Sequence, residues 1–110
     1  MLTEQVQIFQ PSGSLDATKS QAFRQEITGF VENGTKIVLV DLKNVTFMDS
    51  SGLGALVLAF KTLRAANSKL VLCSINEQIR ILFELTGMDK VFEVFSDRDE
   101  FQKSLMTKIK

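Results

Sequence analysis

Apolar positions along this chain recur with two periods, and the period changes several times. Gln5-Val6-Gln7-Ile8-Phe9 alternates polar and apolar residues, which predicts a half-buried or edge strand. Pro11 and Gly13 punctuate a turn after it. Phe23, Ile27, Phe30 and Val31 then recur at helical spacing. Asp16 or Thr18 opens this helix, and Thr18-Lys19-Ser20-Gln21 has the spacing of a capping box. Asn33-Gly34 supplies the left-handed residue that ends it. Lys36 to Leu42 is an apolar run bounded by charge, the signature of a central strand covered on both faces.

A short connection through Asn44 and Thr46 leads to Phe47-Met48 and a second helix, expected from Ser51 to Ala66 with a core stripe of Leu53, Leu56, Val57, Phe60 and Leu63. Leu70 to Ile75 repeats the buried-strand pattern. Asn76 can cap a third helix that carries Ile79, Leu82, Phe83 and Leu85 inward and stops at Gly87. Val91 to Phe95 reads as a last short strand. Asp97 or Asp99 starts a final helix with Phe101, Leu105 and Ile109 on one side. The order is strand, helix, four times over. That predicts an α/β fold: a mostly parallel four-stranded sheet with alternating helices, joined by right-handed crossovers.

Composition narrows the picture. A chain of 110 residues fits one domain, residues 1–110, and 45% apolar residues suffice for a core without metals or disulfides. Lys+Arg and Asp+Glu both number 13. A net charge of zero argues against general affinity for nucleic acid or anionic lipid. The C-terminal Lys103, Lys108 and Lys110 are thinly spaced and fit a solvated helix end. Cys73 cannot form an internal disulfide and lies in an apolar run, as a small buried hydrophobe does. No signal sequence opens the chain and no apolar run reaches membrane-span length, so a reduced, soluble, cytoplasmic protein is expected. With no His and one Cys, Ser-His-Asp and Cys-His catalysis, His phosphorelay and His/Cys zinc sites cannot be built. The expectation is a non-enzyme without metal or cofactor.

The chemistry concentrates in Asp49-Ser50-Ser51-Gly52-Leu53-Gly54-Ala55-Leu56, between a strand-like and a helix-like run. A helix start has free N–H groups and partial positive charge, and it welcomes a phosphate. Ser50 is therefore a candidate phosphorylation switch. Asp and Ser are also ordinary helix caps, and the glycines could serve packing alone. One cap, however, needs one polar group, and three stand here. Gly52 and Gly54 each cost up to ~1 kcal/mol relative to Ala in a helix, which suggests close approach by another group. Leu58 falls off the core stripe, and Ala55, Ala59 and Thr62 make a small, weakly polar outward face. That face is either an interaction surface or the seat of a neighbouring helix.

Phe47 to Gly54, together with Gly13-Ser14-Leu15-Asp16, resembles the STAS domain family (sulfate transporter and anti-sigma factor antagonist). More narrowly, the chain is similar to a stand-alone bacterial anti-sigma factor antagonist, over nearly its whole length. The resemblance implies partner switching in signal transduction and transcription regulation. The unmodified antagonist binds a serine kinase that acts as anti-sigma factor. That kinase uses ATP and Mg²⁺ to phosphorylate the antagonist, which is then released, and a PP2C-type phosphatase restores the hydroxyl. Ser50 would receive the phosphate, Ser51 would be a neighbouring cap, and Asp49 would shape the site. Asp16 would lie near the same edge. Gly52, Leu53, Gly54 and Leu58 complete the implied partner-binding set.

Family members usually carry a further strand ahead of the one at Gln5 to Phe9, where this sequence has only Met1-Leu2-Thr3-Glu4. A different sheet edge, protected by self-association into a homodimer, is the corresponding expectation. Two rival readings keep the fold and drop the switch: a scaffold module, and a sensor of small ligands or nucleotides. The Gly52-Leu53-Gly54 segment is neither a GxGxxG nor a P-loop motif, so nucleotide binding has weak sequence support. The motif also lacks the G-x-S-x-G elbow of a serine hydrolase.

Overall fold

The computed structural model describes the backbone of residues 5–109 and the side chains of residues 5–107. Its elements follow in the order β1 (Val6–Phe9), β2 (Gly13–Leu15), α1 (Ala17–Glu32), β3 (Ile37–Asp41), β4 (Val45–Met48), α2 (Ser50–Ala65), β5 (Lys69–Cys73), α3 (Glu77–Thr86), β6 (Glu93–Phe95) and α4 (Arg98–Ile109). A single 3₁₀ turn, Met88–Lys90, separates α3 from β6.

Four strands form a wholly parallel sheet in the order β1-β3-β5-β6. The unbroken apolar run of β3 resolves into two faces with the period of a strand. Val38 and Val40, with Leu70 and Leu72 of β5, join the larger core under α1, α2 and α3. Leu39, Val71 and Cys73 face the other way, against Phe101 of α4. Both faces of the central strands are thus covered, as the sequence pattern required. β1 lies at one edge of the sheet, in keeping with its alternating pattern. The altered edge expected from Met1 to Glu4 falls outside the described residues, as do the side chains of Lys108, Ile109 and Lys110.

The structure corrects the predicted order in one respect. The turn at Pro11 and Gly13 leads into β2, and the connection through Asn44 and Thr46 contains β4; these two strands form a second, parallel ladder. At three and four residues they are too short to display a period. Gly13 has a positive φ of 78°, which lets the chain turn into β2.

One side chain departs from its predicted face. Leu85, expected inside, is 80% exposed. It lies six residues beyond buried Ile79, about 240° round the helix, and so points away from the sheet. Ala59 is buried, so at this residue the second of the two readings of its face, cover by a neighbouring helix, holds. It is covered because α1 packs alongside α2 there. A methyl-sized side chain allows the two helices to approach.

Candidate functional site

Two helix starts meet at one edge of the fold, and the short ladder puts them there. In the β2–β4 pairing Leu15 stands opposite Met48. Each strand passes to its helix through a single extended residue, Asp16 before α1 and Asp49 before α2. Parallel pairing therefore sets Asp16 and Asp49 side by side and aims two positive helix ends at the same edge.

Each Asp caps its own helix. The Asp16 carboxylate accepts from the backbone N–H and the hydroxyl of Thr18. The Thr18 hydroxyl bond is the largest influence on this carboxyl and, despite some desolvation, holds it below the usual carboxylate range. Asp49 Oδ1 accepts from the N–H of Gly52 at 3.0 Å. The cap of α2 is thus Asp49, not Ser51 as the resemblance implied. A carboxylate one residue before the helix reaches the third N–H, whereas a residue already inside the first turn cannot.

That assignment leaves both serines without a structural task. Ser50 and Ser51 occupy the first two helical positions and are exposed. Neither hydroxyl is bonded to another group among the described residues. Their N–H groups precede the first intrahelical bond, from the N–H of Leu53 to the carbonyl of Asp49.

The glycines differ in kind. Gly52 is buried, and a β-carbon there would collide with the backbone carbonyl of Leu15. The close approach foreseen for this position is made by the chain's own strand. Leu53 is also buried, in the main core. Gly54 is exposed, and beyond its own helix's backbone nothing lies within 4 Å of the place a β-carbon would take. Leu58 is 44% exposed. Ser50, Gly54 and Leu58 stand at four-residue intervals, so they form one exposed line along α2. Beside this line a groove opens between α1 and α2, with Ser20 and Arg24 on one wall and Gly54, Leu58 and Thr62 on the other.

Two further features carry no sequence motif. Gln78, in the first turn of α3, bonds both backbone groups of Met48. Asp41, at the end of β3, is a buried carboxylate that accepts from Arg98 Nε at 2.6 Å, Gln10 Nε2 at 3.0 Å and the Lys43 N–H at 3.0 Å. Burial pushes its carboxyl up, but the bonds from Arg98 and Lys43 outweigh it and hold the group below its ordinary value. A charged residue closing an apolar strand run was the available signal for Asp41. Among the described residues no helix is long and apolar enough to cross a membrane.

The sequence profile of the STAS domain matches residues 2–101, and the chain belongs to that family. The anti-sigma-B factor antagonist of Listeria monocytogenes is 34% identical over 92 residues, covering 84% of this chain and 80% of that protein. Two solved structures share the fold at lower identity. An anti-sigma factor antagonist from Mycobacterium paratuberculosis superposes with a TM-score of 0.81 at 24% identity, covering 94% of this chain and 88% of that one. The Bacillus cell fate determinant SpoIIAA in its phosphorylated form gives 0.70 at 20% identity, covering 94% and 95%.

Proposed function

We propose that this chain is a cytoplasmic anti-sigma factor antagonist switched by phosphorylation of Ser50. The observation that carries the reading is the position of that hydroxyl. It is exposed, bonded to no group among the described residues, and one residue beyond the cap of α2. Kinship with the Listeria antagonist supports the role. A same-fold protein known in a phosphorylated form supports the chemistry.

In this reading the unmodified protein presents Ser50, Gly54 and Leu58 to a serine kinase that acts as anti-sigma factor. Asp16, Asp49 and Ser51 edge the contact, while Gly52 and Leu53 hold α2 in place beneath it. The kinase transfers the γ-phosphoryl group of ATP to the Ser50 oxygen: the new O–P bond forms as the bond from the γ-phosphorus to the bridging oxygen breaks, ADP leaves, and the serine proton is released. The phosphate brings about −1.5 to −2 charges at neutral pH. The free N–H groups at the helix start accommodate it, so the fold persists. Asp49 adds like charge beside it. In a dehydrated interface an unpaired charge costs roughly 3–5 kcal/mol, which weakens binding by about two to three and a half powers of ten. Release therefore needs no large change of shape. A PP2C-type phosphatase returns the protein to its binding form.

The test is the intact mass of the protein from its native cells, with the modified residue located by peptide fragmentation. Phosphate on Ser50 is the expected result. Ser50→Ala should retain the kinase and resist modification, and Ser50→Asp should bind it poorly. Wild-type affinity in Ser50→Asp would overturn the charge-exclusion mechanism.

A further inference from the structure

We propose that Gln78 is the positioning residue of the Ser50 site, fixing the end of β4 from the outside. Its Oε1 accepts from the Met48 N–H at 2.9 Å, and its Nε2 donates to the Met48 carbonyl at 2.8 Å. Only one orientation of the carboxamide satisfies both bonds. The side chain thus imitates the next strand and closes an edge that would otherwise stay open. Asn76 strengthens the same seam. Its Nδ2 lies 3.3 Å from the carbonyls of Val45 and Thr46, while its Oδ1 caps Ile79 at 2.9 Å.

The strand end is held from two sides, by the β2 ladder and by Gln78. Towards β2, the Asp49 N–H reaches the Leu15 carbonyl at 3.4 Å, near the limit of a hydrogen bond. Towards α3, Met48 has two short bonds to one rigid planar group. Only Asp49 separates Met48 from Ser50, so Gln78, from the side opposite the β2 ladder, helps set the direction in which Ser50 leaves the strand. A local sequence rule would not find this residue, because its partner lies 30 positions away.

The consequence for phosphate transfer rests on the phosphoswitch reading; the consequence for backbone placement does not. Gln78→Glu separates positioning from general stabilisation. The ionised carboxylate keeps the bond from the Met48 N–H but opposes the Met48 carbonyl. The protonated acid can donate to that carbonyl and restore both bonds. Gln78→Leu can do neither. Ile79→Val, a core substitution one residue away, serves as a control that loosens α3 while leaving both Gln78–Met48 bonds in place.

The experiment records backbone amide resonances of the full chain at about pH 7.5 and about pH 4, on either side of the glutamate range. Comparison with wild type at each pH removes the contributions of Asp49 and Glu77. In Gln78→Glu the Met48 to Ser51 signals should be displaced at the higher pH and return towards wild type at the lower. In Gln78→Leu they should be displaced at both, and in Ile79→Val at neither. Coincidence of Gln78→Glu with wild type at about pH 7.5 would overturn the proposal. A second arm measures phosphate on Ser50 in cells, expected to fall about tenfold in Gln78→Glu and to hold in Ile79→Val. Equal losses in both would reduce Gln78 to a stabilising residue and overturn its positioning role. A wild-type protein free of phosphate would refute the phosphoswitch reading, and the resonances alone would then decide the placement by Gln78.

Discussion

The carbonyl oxygen of Leu15 occupies the space where a β-carbon on Gly52 would stand. The first turn of α2 therefore rests directly on the end of β2, backbone against backbone. Gly52→Ala should destabilise the protein by about 3 kcal/mol, the upper part of the overpacking range, because a backbone carbonyl cannot swing aside as a flexible side chain can. Denaturant titration checks it. An unchanged midpoint would mean that α2 can lift off the strand at little cost.

Gly54 should behave in the opposite sense. Open space surrounds the position of its missing side chain, and glycine inside a helix is unfavourable. Gly54→Ala should raise stability by up to about 1 kcal/mol and the melting temperature by a few degrees. The added methyl group stands between Ser50 and Leu58, so affinity for the proposed kinase should fall. Tighter kinase binding would place the interface elsewhere.

Asp49 combines a cap with a charge, and two substitutions separate them. Asp49→Ala should cost about 1 kcal/mol, whereas Asp49→Asn should melt close to wild type because its oxygen still reaches the Gly52 N–H. Asp49→Asn also removes the negative neighbour of Ser50. Thermal melts of the pair provide the check, and equal losses in both would assign the effect to charge instead of capping.

The Asp41–Arg98 pair predicts a pH dependence. The folded carboxyl is held below its ordinary value, so its contribution is present above the unfolded value of about 4 and is lost as pH falls through the lower folded value. Arg98→Met should remove part of this acid-sensitive stability. It should cost about 1–3 kcal/mol at neutral pH, since Gln10 and Lys43 still bond the buried carboxylate. The measurement is the denaturation midpoint from about pH 7 down to about pH 3 in both proteins. Parallel curves would show that Arg98 does not set the state of Asp41.

Much of this architecture is legible in local pattern. The runs at Val38 and Leu70, the Asn76 cap and the Gly87 stop are short-range signals, and the structure follows them. The cluster of Asp49, Ser50 and Ser51 is equally visible. What the pattern does not reveal is pairing. β2 and β4 become a ladder only because each finds the other across α1, and Gly52 has its reason in Leu15, far along the chain. Local pattern leaves Ala59 open between an interaction surface and the seat of a helix, and α1 decides it. Gln78 looks like any polar residue in a helix's first turn until Met48 is set against it.

Within α2, neighbouring residues answer to different constraints. Gly52, Leu53 and Leu56 are fixed by the interior, while Ser50, Gly54 and Leu58 look outward. Substitution at Leu58 can thus remodel the proposed contact surface while the core below stays whole. A gene duplicate of such a domain has a short route to a new partner. It can change its allegiance on one stripe of one helix, insulated from the demands of folding.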